Sequence, residues 1–262
     1  MLLRRIVIAL FGAPLFIAAT IYGNYYLLSL IAVVAAMAVY ELFGLFSMPM
    51  RGAGNALAMV WYLAIVAAAF QAWSLLPVIL PTGFFVLAGL FIWQQGENEL
   101  RDLFVRLLVP VYPLAGLFSF YYMRHNDALG ELGLTYSVVF LLSLWSFDTF
   151  AYAGGSWLGK HKLLARVSPN KSVEGLLFGS AGSLFVWLVS LAYSIPPDLA
   201  IFSAVVVSVF ATLGDFFESR LKRILGRKDA SRLLPGHGGV LDRFDSFLFS
   251  SPALLIMVQL WY

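Results

Sequence analysis

The chain has 262 residues, of which 61% are hydrophobic and 12% charged, with a formal net charge of +3. A soluble domain is nearer half apolar and a quarter charged, so this composition excludes an ordinary soluble fold and makes lipid the solvent for much of the surface. Cysteine is absent, which excludes disulfides, thiolate metal sites and a cysteine nucleophile. So small a net charge gives no reason to expect a nucleic-acid partner.

The N-terminal run MLLRRIVIALFGAPLFIAATIY has the ingredients of a secretory signal. It is long, however, and an equally apolar run follows at once, so a retained first span is expected. A span needs roughly 20 apolar residues. The pattern predicts nine, at about residues 6–22, 25–46, 56–71, 74–94, 107–123, 134–155, 176–195, 198–217 and 247–262. Pro77, Pro81, Pro110 and Pro113 fall inside spans and predict kinks whose freed carbonyls neighbours satisfy. With nine spans, the N-terminus and the loops after even-numbered spans share one side. That side receives 16 of the 17 Lys and Arg, leaving Arg124 on the other. Positive-inside bias then puts the N-terminus and the basic loops in the cytoplasm. The expected fold is all-α, a polytopic integral membrane protein of about nine transmembrane helices. Residues 1–133 form a lipid-facing scaffold. Residues 134–262 form the catalytic region, with cytoplasmic loops at 156–175 and 218–246.

The sixth span carries Asp148, in LWSFDTFAYAGG. An ionised carboxylate at the centre of a bilayer costs about 2.5–3.5 kcal/mol on insertion scales, so Asp148 should face a polar cavity or a cation. Asp215 lies at the cytoplasmic end of the eighth span, and the two acids suggest one shared pocket. The loop after Asp148 contains GxxxxGK from Gly154 to Lys160. It is not a P-loop: His161 stands where a magnesium-binding hydroxyl belongs, and a hydrophobic span replaces the strand. Gly154 and Gly155 are expected to free the backbone, with Lys160, Lys162 and Lys171 to neutralise phosphate. Ser168, Pro169 and Glu174 read as a turn into the seventh span, with Ser172 as its cap. Asn170-Lys171-Ser172 is formally a glycosylation acceptor, but a cytoplasmic loop would escape that modification. Gly175, Gly179 and Ser183 give the seventh span a small-residue face for close helix packing.

The stretch from Ser219 to Asp245, SRLKRILGRKDASRLLPGHGGVLDRFD, holds seven Lys or Arg, three Asp and one His. A loop that only bound anionic head groups would need the cations alone. It would not need three Asp, a PGHGG turn and Asp215 at the end of a span. Asp215, Asp242 and Asp245 are candidate ligands for a hard divalent cation such as magnesium, which takes a few carboxylates and fills its shell with water and phosphate. Asp242 and Asp245 stand at i and i+3, on one face of a helix. His237, Gly238 and Gly239 suggest a backbone nest for phosphate. Lys222, Arg223 and Lys228 supply cations for a triphosphate.

This stretch resembles the signature of the phosphatidate cytidylyltransferases, also called CDP-diacylglycerol synthases. Their pattern reads S-x-hydrophobic-K-R, four residues, K-D, a small residue, then P-x-H-G-G-hydrophobic-x-D-R-hydrophobic-D. Ser219, Leu221, Lys222, Arg223, Lys228, Asp229, Ser231, Pro235, His237, Gly238, Gly239, Val240, Asp242, Arg243, Phe244 and Asp245 fill it. Gly214-Asp215 matches a preceding G-D. Asp148, Ala151-Tyr152, Gly155, Gly159-Lys160, Ser168-Pro169, Lys171, Glu174 and Gly175 resemble a second family element. Asn170 stands where that element usually has Lys, and Ser172 where it usually has Thr. The resemblance covers about residues 140–250.

The resemblance implies transfer of CMP from CTP to phosphatidate, giving CDP-diacylglycerol and pyrophosphate, at the surface of a bilayer. The expected localisation is the bacterial inner membrane. It implies Asp215, Asp242 and Asp245 as magnesium ligands, with a second cation such as potassium nearby. Lys222, Arg223, Lys228 and Lys171 would hold phosphates, with Ser168, Ser219, Lys160, Arg243, Gly238 and Gly239 in the substrate site. Asp148 would belong to the polar pocket. His237 is assigned to phosphate binding or loop structure, because phosphatidate already carries a nucleophilic oxyanion. A homodimer is compatible with this reading. Alternatives are a cytidylyltransferase or CTP-dependent kinase acting on an isoprenoid-type lipid, a transporter, and a non-enzymatic scaffold for anionic lipid. The D-x-x-D-G row of CDP-alcohol phosphotransferases is absent, which excludes them.

Overall fold

A computed structural model describes residues 2–48, 105–106, 109–164, 168–231, 233 and 238–262. The third and fourth expected spans, with Pro77 and Pro81, lie outside these residues. The described chain is seven helices and one small hairpin. Helix α1 is Leu2–Tyr22, α2 Asn24–Leu45, α3 Val111–Arg124 and α4 Leu132–Leu158. An antiparallel pair follows, β1 (Lys162–Leu164) and β2 (Ser168–Ser172). Helix α5 is Val173–Val189, extended by a 3-10 turn at Ser190–Tyr193. Helix α6 is Pro197–Ile224 and α7 Leu241–Trp261. Five of these, α2, α4, α5 with its extension, α6 and α7, are long and apolar enough to cross a membrane. The protein is thus mostly helical and polytopic.

The surface agrees with the composition. Phe11, Leu177, Phe185, Val205, Ile256 and Leu260 are all exposed, which suits hydrocarbon and not water. Inside, Phe16, Phe120, Phe140 and Phe247 form an aromatic cluster, with Phe120 and Phe247 centroids 5.3 Å apart. Lipid gives no hydrophobic drive between helices, so close backbone approach and hydrogen bonds must hold them. The small face of α5 does this against α4. A Cβ on Gly179 would come within 2.9 Å of Phe147 O, and Ser143 and Ser183 hydroxyls are hydrogen-bonded at 2.7 Å. Ser251 Oγ donates to Gly116 O, tying α7 to α3. Arg124 Nε donates to Thr20 O at 3.0 Å, and the Asn24 amide donates to His125 Nε2 at 3.1 Å. Arg124 therefore sits at the α1–α2 turn.

Several local expectations change. The loops expected at 156–175 and 218–246 are shorter. Helix α4 runs to Leu158, α6 continues through Ser219 and Arg223, and α7 begins at Leu241. Helices need not end where apolar residues do, because solvated polar residues propagate a helix well. Gly154 and Gly155 lie within α4 and free no loop. Their missing side chains serve packing instead: a Cβ on Gly154 would come within 2.4 Å of Phe178 Cγ. Ser168 to Ser172 is strand, where a turn was expected. Ser172 does cap α5, accepting from the Gly175 amide at 3.1 Å.

Candidate active site

A cavity of about 630 Å³ opens where α4, the hairpin and the facing ends of α6 and α7 meet. Asp148, Asp215, Asp242, Asp245, Lys171 and Arg243 all line it. Local sequence explains this convergence. Asp148 comes from within α4, three turns before its end. Asp215 follows Gly214, where a Cβ would come within 2.4 Å of Asp245 O. The glycine thus lets α6 cross α7 closely and brings Asp215 beside Asp245. Asp242 and Asp245 lie in the first turns of α7, and their i, i+3 spacing turns both toward the cavity.

Asp148, Asp215 and Asp245 are close enough to repel one another, and Lys171 offsets that repulsion. The Lys171 ammonium pairs with Asp215 Oδ2 and lies 5.1 Å from the Phe216 ring centroid. Asp215 Oδ1 accepts from Ser219 Oγ at 3.1 Å. Arg243 acts on Asp148 from the α7 side. Asp148 has no hydrogen-bond partner among the described residues. Lys171 and Arg243 thus bring positive charge to a pocket lined by several acids.

Asp242 is held differently. Its Oδ1 accepts from Lys222 at 2.5 Å, and its Oδ2 from the amides of Gly239 at 2.7 Å and Ala230 at 3.0 Å. Gly238 adopts φ +81, and a Cβ there would come within 2.6 Å of Asp242 Oδ2. Lys222 also reaches Glu218 at 3.1 Å. Glu218 is 1% exposed and its Oε2 has no partner among the described residues. Lys222 is thus the interior counter-ion of two acids.

The other expected site residues divide. Ser168 and Lys162 line the cavity from the hairpin, and Asn170 does so without adding charge. Lys160 is exposed and does not line it; its amide donates to Glu174 Oε2 at 3.1 Å. Arg223 is exposed near the end of α6. Lys228 lines a second cavity of about 590 Å³, with Arg227 and Glu41. Gly239 gives its amide to Asp242 and packs on Glu41. His237 lies outside the described residues.

The chain matches the model of the cytidylyltransferase family over residues 3–261. It belongs to the cytidylyltransferase family. Among curated relatives it is 38% identical over 177 residues to the phosphatidate cytidylyltransferase of Staphylococcus haemolyticus (strain JCSC1435), a match spanning 66% of each chain. The enzyme of the same name from Staphylococcus saprophyticus subsp. saprophyticus is also 38% identical over 177 residues, again 66% of each. That from Staphylococcus aureus (strain COL) is 37% identical over 178 residues, with the same shares. The match thus spans just under two thirds of these relatives' length. Two acids of this chain escape a reading of the sequence: Glu218 and Glu41. Glu218 sits one residue before the signature begins. Glu41 is the lone charged residue of α2, and the burial cost that singled out Asp148 applies to it equally.

Proposed function

We propose that this chain transfers the cytidylyl group of CTP to phosphatidate, giving CDP-diacylglycerol and pyrophosphate. The observation that carries the reading is the cavity where Asp148, Asp215 and Asp245 meet Lys171 and Arg243 between membrane helices. One substrate is soluble and highly charged, and the other is held in a bilayer, so the reaction needs a polar site at a helix end. A phosphatidate oxygen attacks the α-phosphorus of CTP. The bond from that phosphorus to the bridging oxygen of the β-phosphate breaks, and pyrophosphate leaves with the electron pair. Such chemistry asks chiefly for alignment and charge neutralisation. Lys171 and Arg243 supply positive charge within the cavity, with Lys222 behind Asp242. Lys228 and Arg223 are assigned to more distant phosphate oxygens.

The donor set suits magnesium: hard carboxylate oxygens, with Asp148 free of hydrogen bonds among the described residues and Asp215 held by a side-chain ammonium and a hydroxyl. Among the described residues no three such groups already close on one point, so water and phosphate oxygens would complete the shell. Asp215, Asp242 and Asp245 would hold the ion. When bound, it offsets charge on the phosphates. A second cation such as potassium would further balance the acids. The site is assigned to the cytoplasmic face of a bacterial inner membrane, in a nine-helix topology with a cytoplasmic N-terminus. The distribution of 16 of 17 basic residues supports that topology.

The test is direct. Protein purified in detergent receives magnesium, phosphatidate and CTP labelled at either the α- or the γ-phosphate. Label entering lipid from α-labelled CTP alone is the expected result. Label entering from γ-labelled CTP would mean a kinase, and no labelled lipid from either would end the proposal.

A further inference from the structure

Two carboxylates hold the segment that enters α7, and one comes from far away in the chain. Glu41 Oε1 accepts from the Val240 amide at 2.7 Å and from the Ser231 hydroxyl at 2.6 Å. Glu41 Oε2 accepts from the Leu241 amide at 2.8 Å. The side chain is 1% exposed, and no salt bridge reaches it among the described residues. Its charge is stabilised by amides at the head of a 21-residue helix, where N–H groups lack intrahelical acceptors. A buried carboxylate without a cation is costly to keep, so its donors must be fixed in place. Gly239 is shaped for this contact: a Cβ there would come within 2.6 Å of Glu41 Oε2.

The bonds of Glu41 and Asp242 interleave. Successive amides of Gly239, Val240 and Leu241 go to Asp242, Glu41 and Glu41. The Ala230 amide goes to Asp242 and the Ser231 hydroxyl to Glu41. Asp242 is the next residue after Leu241, and it lines the first cavity while Glu41 does not. We infer that Glu41 is a positioning residue, which fixes the entry turn of α7 so that Asp242 and its partner Lys222 face the substrates. The inference rests on the proposed transfer reaction for its consequence, and on geometry for its mechanism.

The experiment compares wild type, Glu41→Gln and Ser231→Ala in detergent. Glutamine keeps the size but turns an NH2 toward a backbone donor. Two readouts are taken: half-saturating magnesium–CTP, and hydrogen exchange over residues 238–245 with no ligand present. A folded Glu41→Gln variant should need about tenfold more magnesium–CTP, the loss of one hydrogen bond to a charged group. Ser231→Ala should need about threefold more. Both should exchange faster over residues 238–245 and normally in α4 and α5. A folded Glu41→Gln protein with wild-type exchange and half-saturation overturns the inference. If that variant does not fold, Ser231→Ala decides, and unchanged exchange with unchanged half-saturation overturns it. Wild type that makes no lipid product, with the exchange difference intact, sinks the reaction and upholds the positioning.

Discussion

Five of the acids contributed by α2, α4, α6 and α7 fall into two environments. Asp148, Asp215 and Asp245 line an open cavity, and the cation paired with Asp215 is Lys171 on a two-stranded hairpin. Asp242 is bound by backbone amides on both sides of residues 232–237, and Glu41 by two amides after them and the Ser231 hydroxyl before them. An ammonium on a flexible stem can move aside for an incoming ion or phosphate. A backbone amide cannot leave without undoing the turn that carries it. On the proposed reading the same functional group serves exchange in one place and architecture in the other, and Asp242 belongs to both.

Substitutions can break or sharpen that contrast. The largest effect is expected for Asp215→Asn: turnover should fall about a thousandfold or more with the melting temperature little changed, because on the proposed reading the lost carboxylate charge holds the cation and not the bundle. Normal turnover would remove the cavity from the mechanism. Lys171→Met should lower turnover about a hundredfold, read as initial rate at saturating CTP. A mere change in stability would make the ion pair structural. Next comes Glu41→Gln, with its smaller rise in half-saturating nucleotide and its local exchange signature. Ser183→Ala is the control remote from both groups. It removes the hydrogen bond to Ser143 and should lower stability by about 0.5–1 kcal/mol, seen by thermal unfolding, with turnover unchanged.

Much of the cavity could be read from the chain because its acids lie close to signature residues or within apolar runs. Asp148 was legible from the cost of burying charge, and Asp242 with Asp245 from helical spacing. Helix ends were less legible. Hydropathy marks the slab of lipid, whereas α6 continues for two turns beyond its apolar run, to Ile224. The partners of Lys222 were hidden because a cation near a phosphate site and a cation inside an ion-pair pair look alike in sequence. Glu41 was hidden by distance: its bond to Val240 joins residues 199 positions apart. A local motif cannot show which remote side chain holds it.

Gly214 carries no chemistry of its own, yet the spacing of Asp215 and Asp245 depends on it. One methyl group at that position would wedge against the main chain of α7 and push the two helices apart. A saturation screen scored on product formation should therefore rank this bare position alongside the acids, although nothing there ever touches a ligand.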